Sequence, residues 1–419
     1  MKKKIIWFCS ALFSDEKIKT TGTWLISMGN ALAEMENIEL YNVTYGNVKS
    51  ITKKNSKNIT QWIIPHKERK IYHRGSKNLL SFVKKINNEI QPDLIHIWGT
   101  ENGFAFVVSE AKLETPVLLD IQGLLFAYVK FYYGGLNFMD LIKCIDLKEI
   151  LKPKYHPYFI RRRYKKRGKH ELRLLREVEN ISVQSDWVHS IIKSVNNSSS
   201  IFQTGIMLRR EFSETSAWKR SGNNNQMSVF TSCSGAIPYK GLHVVIEALA
   251  ILKKKYPNIK LKIGGGIQIN RKYGIIRDGY TGWLLKKAKN LGVTDSITWL
   301  GMLNSDEIIK EMHKSSVVVV PSYIETYCLF MAESMMVGVP TVASFSGAMP
   351  QLAEHGISAL YFPSGDHWDC ARNIEKIITN PELADILSLE ARKKAFKRND
   401  QNKVLKTQLD IYSNIIRKR

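Results

Sequence analysis

The chain has 419 residues, 44% of them hydrophobic, which is enough for two domains of ordinary size with a core each. Its five cysteines (Cys9, Cys144, Cys233, Cys328 and Cys370) form no C-x-x-C pair, so neither a disulfide framework nor a zinc site is indicated, and a reducing cytosol fits best. A formal net charge of +24 raises polyanionic partners, yet no helix-turn-helix, RNP, KH or zinc-finger pattern accompanies it, and no stretch reaches the ~18 to 20 apolar residues that a membrane span needs.

The opening MKKKIIWFCSALFS reads as a first strand over 4–9. A secretory signal peptide is the alternative, disfavoured because no small-x-small cleavage site follows and removal would delete the only candidate for that strand. Gly22, in TTGTW, sits in the loop before a helix predicted near 24–35, where a glycine lets backbone approach a phosphate closely. A strand at 38–44 and a basic stretch around 67–77 come next. They are followed by a helix near 79–88 and strands at 94–98, 117–121 and 181–184. Such alternation predicts a parallel, doubly wound α/β sheet. His96 alternates with apolar residues in IHIW and reads as a core histidine, while Gln122-Gly123 ends the strand VLLDIQGLL.

Between these strands lies the densest charge cluster, KPKYHPYFIRRRYKKRGKHELRLLR at 152–176, preceded by an aromatic, apolar stretch at 124–151. That pairing is what docking on an anionic membrane surface requires; a solvated helical face with no partner is the alternative, and nucleic acid is disfavoured. The polar interval EFSETSAWKRSGNNNQ at 211–226 reads as an interdomain linker. The strand and helix pattern then restarts with strands at 228–232, 260–263, 297–300, 317–320 and 341–343 and a helix at 242–255. Lys240, in the turn SGAIPYKG after the first of these strands, is placed to neutralise a departing diphosphate.

The segment PSYIETYCLFMAESMMVGVPTVAS concentrates the chemistry. A β-branched run ends at Pro321, a helix is predicted from about Tyr327, and its free amides and positive dipole end would face the carboxyl edge of the sheet. Glu325 precedes that helix, and Glu333, eight residues on, has the acceptors to hold a diol such as a ribose.

Pro321-Ser322, Glu325, Glu333, Gly338-Val339-Pro340, Gly347, Pro350, Gly356 and Gly365-Asp366 together resemble the nucleotide-sugar motif of the retaining glycosyltransferases of family 4. The resemblance is strong over about 228–366 and thinner over 1–205. It implies the GT-B fold, two Rossmann-like doubly wound domains facing across a cleft. The expected division is 1–210 as the acceptor-side domain, 211–226 as linker and 227–399 as the nucleotide-sugar domain, with a last helix at about 400–419 returning to the first domain. It also implies roles. Glu325 contacts the donor sugar, Glu333 binds the ribose, and the Thr326, Tyr327, Cys328 and Leu329 backbone with Lys240 holds the diphosphate. Gly22 flanks diphosphate and sugar, and Gln122 orients the sugar where the family carries a histidine. An arginine usual in the family is Gly235 here, for which Arg271, Lys272 or Arg277 could compensate, and Gln351 stands where a glutamate is common.

The implied activity is transfer of a hexosyl or N-acetylhexosaminyl group from a UDP- or GDP-sugar, without metal or other cofactor, to a glycan or polyprenyl-diphosphate-linked acceptor. Surface-polysaccharide synthesis (capsule or O-antigen) at the cytoplasmic face of the cell membrane is the expected setting. A non-catalytic GT-B partner subunit, a sugar-nucleotide epimerase and a polyanion-binding protein stay open as alternatives.

Overall fold

Apolar and β-branched runs become strands, and the strands collect into two α/β units, each with its own sheet. The computed structural model describes residues 2–14, 24–56, 58–70, 76–145, 147–220, 227–267, 269 and 279–418. The first unit comprises Met1–Phe126, Lys166–Arg209 and Asn399–Arg419; the second comprises Ala127–Lys165 and Arg210–Arg398.

The first sheet contains β1 (Lys3–Phe8), β2 (Ile38–Gly46), β3 (Thr52–Ser56), β4 (Ile59–Pro65), β5 (Leu94–Trp98), β6 (Val117–Asp120), β7 (Asn180–Val183) and β8 (Ser200–Gln203). Their order is β3-β4-β2-β1-β5-β6-β7-β8, parallel throughout except for the β3/β4 hairpin. β1 and β5 form the middle, and Ile5, Ile6, Leu94 and His96 are fully buried, as expected of strands covered on both faces. The last helix, Gln401–Arg417, packs into this unit: the Tyr412 hydroxyl lies 2.7 Å from His96 Nδ1 and accepts a 3.0 Å bond from Trp7 Nε1. Burial holds the His96 pKa well below its ordinary value, so the ring is a neutral core group, as its strand pattern implied.

The second sheet contains β9 (Ser228–Cys233), β10 (Lys260–Gly265), β11 (Ile297–Gly301), β12 (Val317–Val320), β13 (Thr341–Ser344) and β14 (Leu360–Phe362). The order is β11-β10-β9-β12-β13-β14, all parallel. The four valines of β12 are at most 4% exposed and each contributes about 1.5 kcal/mol or more of burial. Behind β12 runs the helix Leu329–Val337, buried from Met331 onward.

Strands β8 and β14 form where the sequence reading placed none, and three further features differ from expectation. The β3/β4 hairpin was missed because β3 reads TKKNS; it is an exposed edge strand, where lysines discourage pairing with another chain. The interval 211–226 is only in part a linker: Arg210–Glu214 is helical, Phe212 is fully buried, and Trp218 donates Nε1–H to the Ser315 carbonyl at 2.9 Å, so apolar anchors tie it to the second unit. Finally, Ala127–Lys165 packs with the second unit rather than with the first domain of 1–210. Glu149, 3% exposed, accepts from the Gly279 amide at 2.9 Å, and Tyr132, 2% exposed, lies 5.9 Å from the Tyr239 ring. The aromatic stretch therefore buries part of its surface in the protein's own core.

Apart from the β3/β4 hairpin, strand order in each sheet reverses at one place, between β1 and β5 and between β9 and β12. Loops at the carboxyl ends of those strands diverge and leave a crevice, which is where open α/β sheets bind ligands.

Candidate functional site

The loops after β9 and β12 flank the reversal in the second sheet, and they carry Lys240 and Glu325. The Tyr323 amide donates to the Tyr239 carbonyl at 2.8 Å, knitting the two loops together. Gly241 makes their approach possible: at φ +71° it adopts a left-handed conformation, and a Cβ there would sit 2.0 Å from the Pro321 carbonyl oxygen. Lys240 Nζ donates to Glu325 Oε1 at 2.6 Å, with side chains 19% and 12% exposed. Burial works against the lysine's charge, but the Glu325 carboxylate more than offsets it, so its pKa lies above the ordinary value and it stays an ammonium.

Behind Glu325 a third loop closes. Gly347, at φ +53°, brings its backbone against Glu325, where a Cβ would lie 2.2 Å from the Glu325 carbonyl oxygen, and the Ala348 amide donates to that oxygen at 2.9 Å. Ser346 Oγ donates to the Ser322 carbonyl at 2.7 Å, as does Ser344 Oγ.

The helix after Glu325 begins at Leu329, not near Tyr327, because Cys328 adopts φ +84°, a left-handed conformation that interrupts the helical run. A non-glycine residue there is strained by about 1–3 kcal/mol, and such strain is characteristic of ligand sites. The consequence is an extended 325–328 loop leading into the helix start, with Thr326, Tyr327 and Cys328 at most 7% exposed. The first-turn amides have no partner within a helix, so this end suits a phosphate. Glu333, on the same helix, is 4% exposed. The second unit thus brings together Lys240, Glu325, the 326–329 backbone and Glu333.

Gln122 belongs to the first unit, half-buried just after β6. Gly22 lies outside the described residues, as do Arg271, Lys272 and Arg277. Gly235 stands in open space, with nothing within 4 Å of where a Cβ would be. Gln351 is exposed.

Sequence reasoning passed over Glu101, Asp120, Glu171 and Tyr128. Glu101 follows β5 at the reversal in the first sheet, and its carboxylate lies so close to Gly99 and Gly123 that a Cβ at either would come within 2.3 Å of it. Burial, with Glu171 and Asp120 nearby, raises its pKa to about 7 against the opposing pull of Arg167. Asp120, fully buried, is likewise raised to about 7 by desolvation although Ser182 and Gln184 donate to its Oδ2 at 2.8 and 2.7 Å. Glu171 accepts from Thr100 Oγ1 and from the Phe126 amide at 3.0 Å. The signal available was an acidic residue directly after a central strand, in HIWGTE. Tyr128 places its hydroxyl 3.3 Å from Thr326 Oγ1; no local pattern marks it.

Residues 214–394, all within the second unit, match the model of the family described as glycosyl transferases group 1. Among curated relatives, a D-inositol 3-phosphate glycosyltransferase of Saccharomonospora viridis is 26% identical over 184 residues, covering 42% of this chain and 40% of the relative. The chain spans about two fifths of the length of the curated relatives it matches. Among solved structures, sucrose-phosphate synthase from Thermosynechococcus elongatus superposes with a TM-score of 0.74 at 15% identity, covering 100% of both chains. HepE of Anabaena, in complex with UDP and glucose, gives 0.68 at 15% identity over 98% of this chain and 100% of its own. These structures share the GT-B fold with this chain.

Proposed function

We propose that the protein is a retaining glycosyltransferase of family-4 type. It moves a sugar from a nucleotide-diphosphate donor to a hydroxyl of a glycan or polyprenyl-diphosphate-linked acceptor, in cell-surface polysaccharide synthesis. The observation that carries this reading is the half-buried Lys240–Glu325 ion pair at the strand reversal, just ahead of the helix Leu329–Val337. A cation, backbone amides and a carboxylate in that order suit a diphosphate followed by a hydroxyl-bearing ring.

In this reading Lys240 and the 326–329 amides take the developing charge of the leaving diphosphate, without metal. Glu325 accepts from a sugar hydroxyl and Glu333 from the ribose. The leaving phosphate itself takes the acceptor proton on the face it departs from, which retains configuration. UDP-glucose is the first donor to try, since HepE is seen with UDP and glucose.

The polar and apolar faces of 127–165 support a membrane partner. Phe138, Met139, Ile150 and Leu151 are 56–75% exposed, and Lys143, Lys152, Lys154, Arg162 and Arg163 are exposed around them. Among the described residues no helix is long and apolar enough to cross a membrane. Salt-sensitive sedimentation with anionic liposomes is expected, and absence of binding at low salt removes this part.

Calorimetry against UDP-, GDP-, ADP- and dTDP-sugars tests the whole. One nucleotide class binds, and Glu333→Ala weakens it by about tenfold or more. A protein that binds no donor contradicts the reading. Gly235 and Gln122, where the family carries titratable or charged groups, favour a second reading as a non-catalytic partner subunit, which predicts no transfer whatever the donor.

A further inference from the structure

Tyr128 belongs to the helix Leu125–Phe131, far in sequence from the loops just described, yet its phenol reaches them. Its hydroxyl lies 3.3 Å from Thr326 Oγ1, one residue from Glu325, and its ring lies 5.4 Å from that of Tyr239, one residue from Lys240. The ring is held in place. Tyr132, a turn further on, is packed between Tyr239 at 5.9 Å and Tyr164 at 5.2 Å. Arg161 donates Nε–H to the Val129 carbonyl at 3.1 Å and stacks 5.0 Å over Tyr133. A half-buried tyrosine whose hydroxyl lies beside a threonine hydroxyl offers two groups, each able to donate and to accept, at 3.3 Å from one another. Packing alone would be served by phenylalanine.

Resting on the donor reading above, we propose that Tyr128 and Thr326 form a hydroxyl pair that recognises the sugar of the nucleotide-sugar donor, and that Tyr128 is a specificity-determining residue. A sugar hydroxyl bonded to this pair makes discrimination depend on the donor's ring rather than on its nucleotide. A site built to bond a hydroxyl rejects a ligand that lacks it, since its own polar groups then lose a partner.

The test compares Tyr128→Phe with the unaltered protein in calorimetric titrations with UDP and with UDP-glucose, or with GDP and GDP-mannose should the guanine class be the one bound. The expected result is about a five- to tenfold weaker affinity for the sugar-bearing nucleotide, with the bare nucleotide unchanged. Equal weakening of both overturns the proposal, because the phenol would then act on the nucleotide or on the loop. No change in either overturns it as well, leaving the donor reading intact. Failure of the unaltered protein to bind a nucleotide or nucleotide-sugar of any of the UDP, GDP, ADP and dTDP classes overturns the donor reading and this proposal with it. Thr326→Val is expected to weaken the sugar-bearing nucleotide likewise, and a double variant no weaker for it than either single one shows that the two hydroxyls act together.

Discussion

The two units reverse strand order in the same way but charge the resulting edge differently. At the second unit's reversal a lysine and a glutamate meet at 2.6 Å and largely cancel. At the first unit's reversal Glu101 sits with Asp120 and Glu171 nearby, opposed by Arg167, which donates Nη2–H to the Glu101 carbonyl at 2.7 Å. A compensated pair can hold its charges at any ordinary pH and exchange them for a ligand's. A group of buried carboxylates answers instead by holding protons. One topology thus supports a charge-neutral receptor edge in one unit and a proton-retaining edge in the other.

The sharpest way to break this contrast is to uncompensate the second edge. Lys240→Met leaves the Glu325 carboxylate buried without its partner and is expected to cost about 3 kcal/mol or more in denaturant unfolding, and about 100-fold or more in donor affinity. Adding Glu325→Gln restores most of the stability but not the binding. Full donor affinity in the single variant would remove Lys240 from the site. Next in size is Gly347→Ala, whose Cβ would collide with the Glu325 carbonyl; a loss of about 1–2 kcal/mol and about tenfold in donor affinity is expected, read by thermal unfolding and titration.

The first edge is tested by pH. Glu101 and Asp120 have folded pKa values of about 7, above those of the unfolded chain. Their contribution is therefore complete below about pH 4 and is lost as pH rises through about 7. Asp120→Asn is expected to reduce the stability lost between about pH 5 and about pH 8 by roughly half, measured by urea unfolding. An unchanged pH slope would show that Asp120 is not the proton-holding group. The smallest effect is a gain. Position 235 is open, so Gly235→Arg is expected to add a diphosphate contact and tighten donor binding about three- to tenfold, detected by calorimetry.

The central strands were legible because burial on both faces leaves continuous apolar runs such as VVVV and LIHIW. The second edge was legible for a related reason. Lys240 and Glu325 each follow such a run directly, so strand plus loop places them at the sheet edge without any knowledge of tertiary contacts. What escaped depends on packing between distant segments. β3 is polar because it is an edge, and a polar five-residue stretch looks like a loop. The allegiance of 127–165 is decided by pairs such as Glu149 with Gly279, 130 residues apart, and Tyr128 with Thr326, 198 apart. Glu101 and Asp120 acquire their character only once desolvated, which no spacing reveals. The helix start moved by two residues because one backbone angle at Cys328 departs from what its side chain prefers.

Tyr412 is buried against the middle strands of the first unit, yet it follows the last strand of that sheet by about two hundred residues. Strands β1 to β8 emerge within the first 203 residues, but His96 and Trp7 do not acquire their shared partner until about two hundred more have been added. The second unit, closing at Arg398, has all its segments available before the first does. Synthesis and completion of the two units therefore run in opposite order, and the strands of the first unit wait, with part of their interior uncovered, for the helix Gln401–Arg417 to seal them. A fragment cut at the apparent domain boundary near residue 210 would be born without that seal.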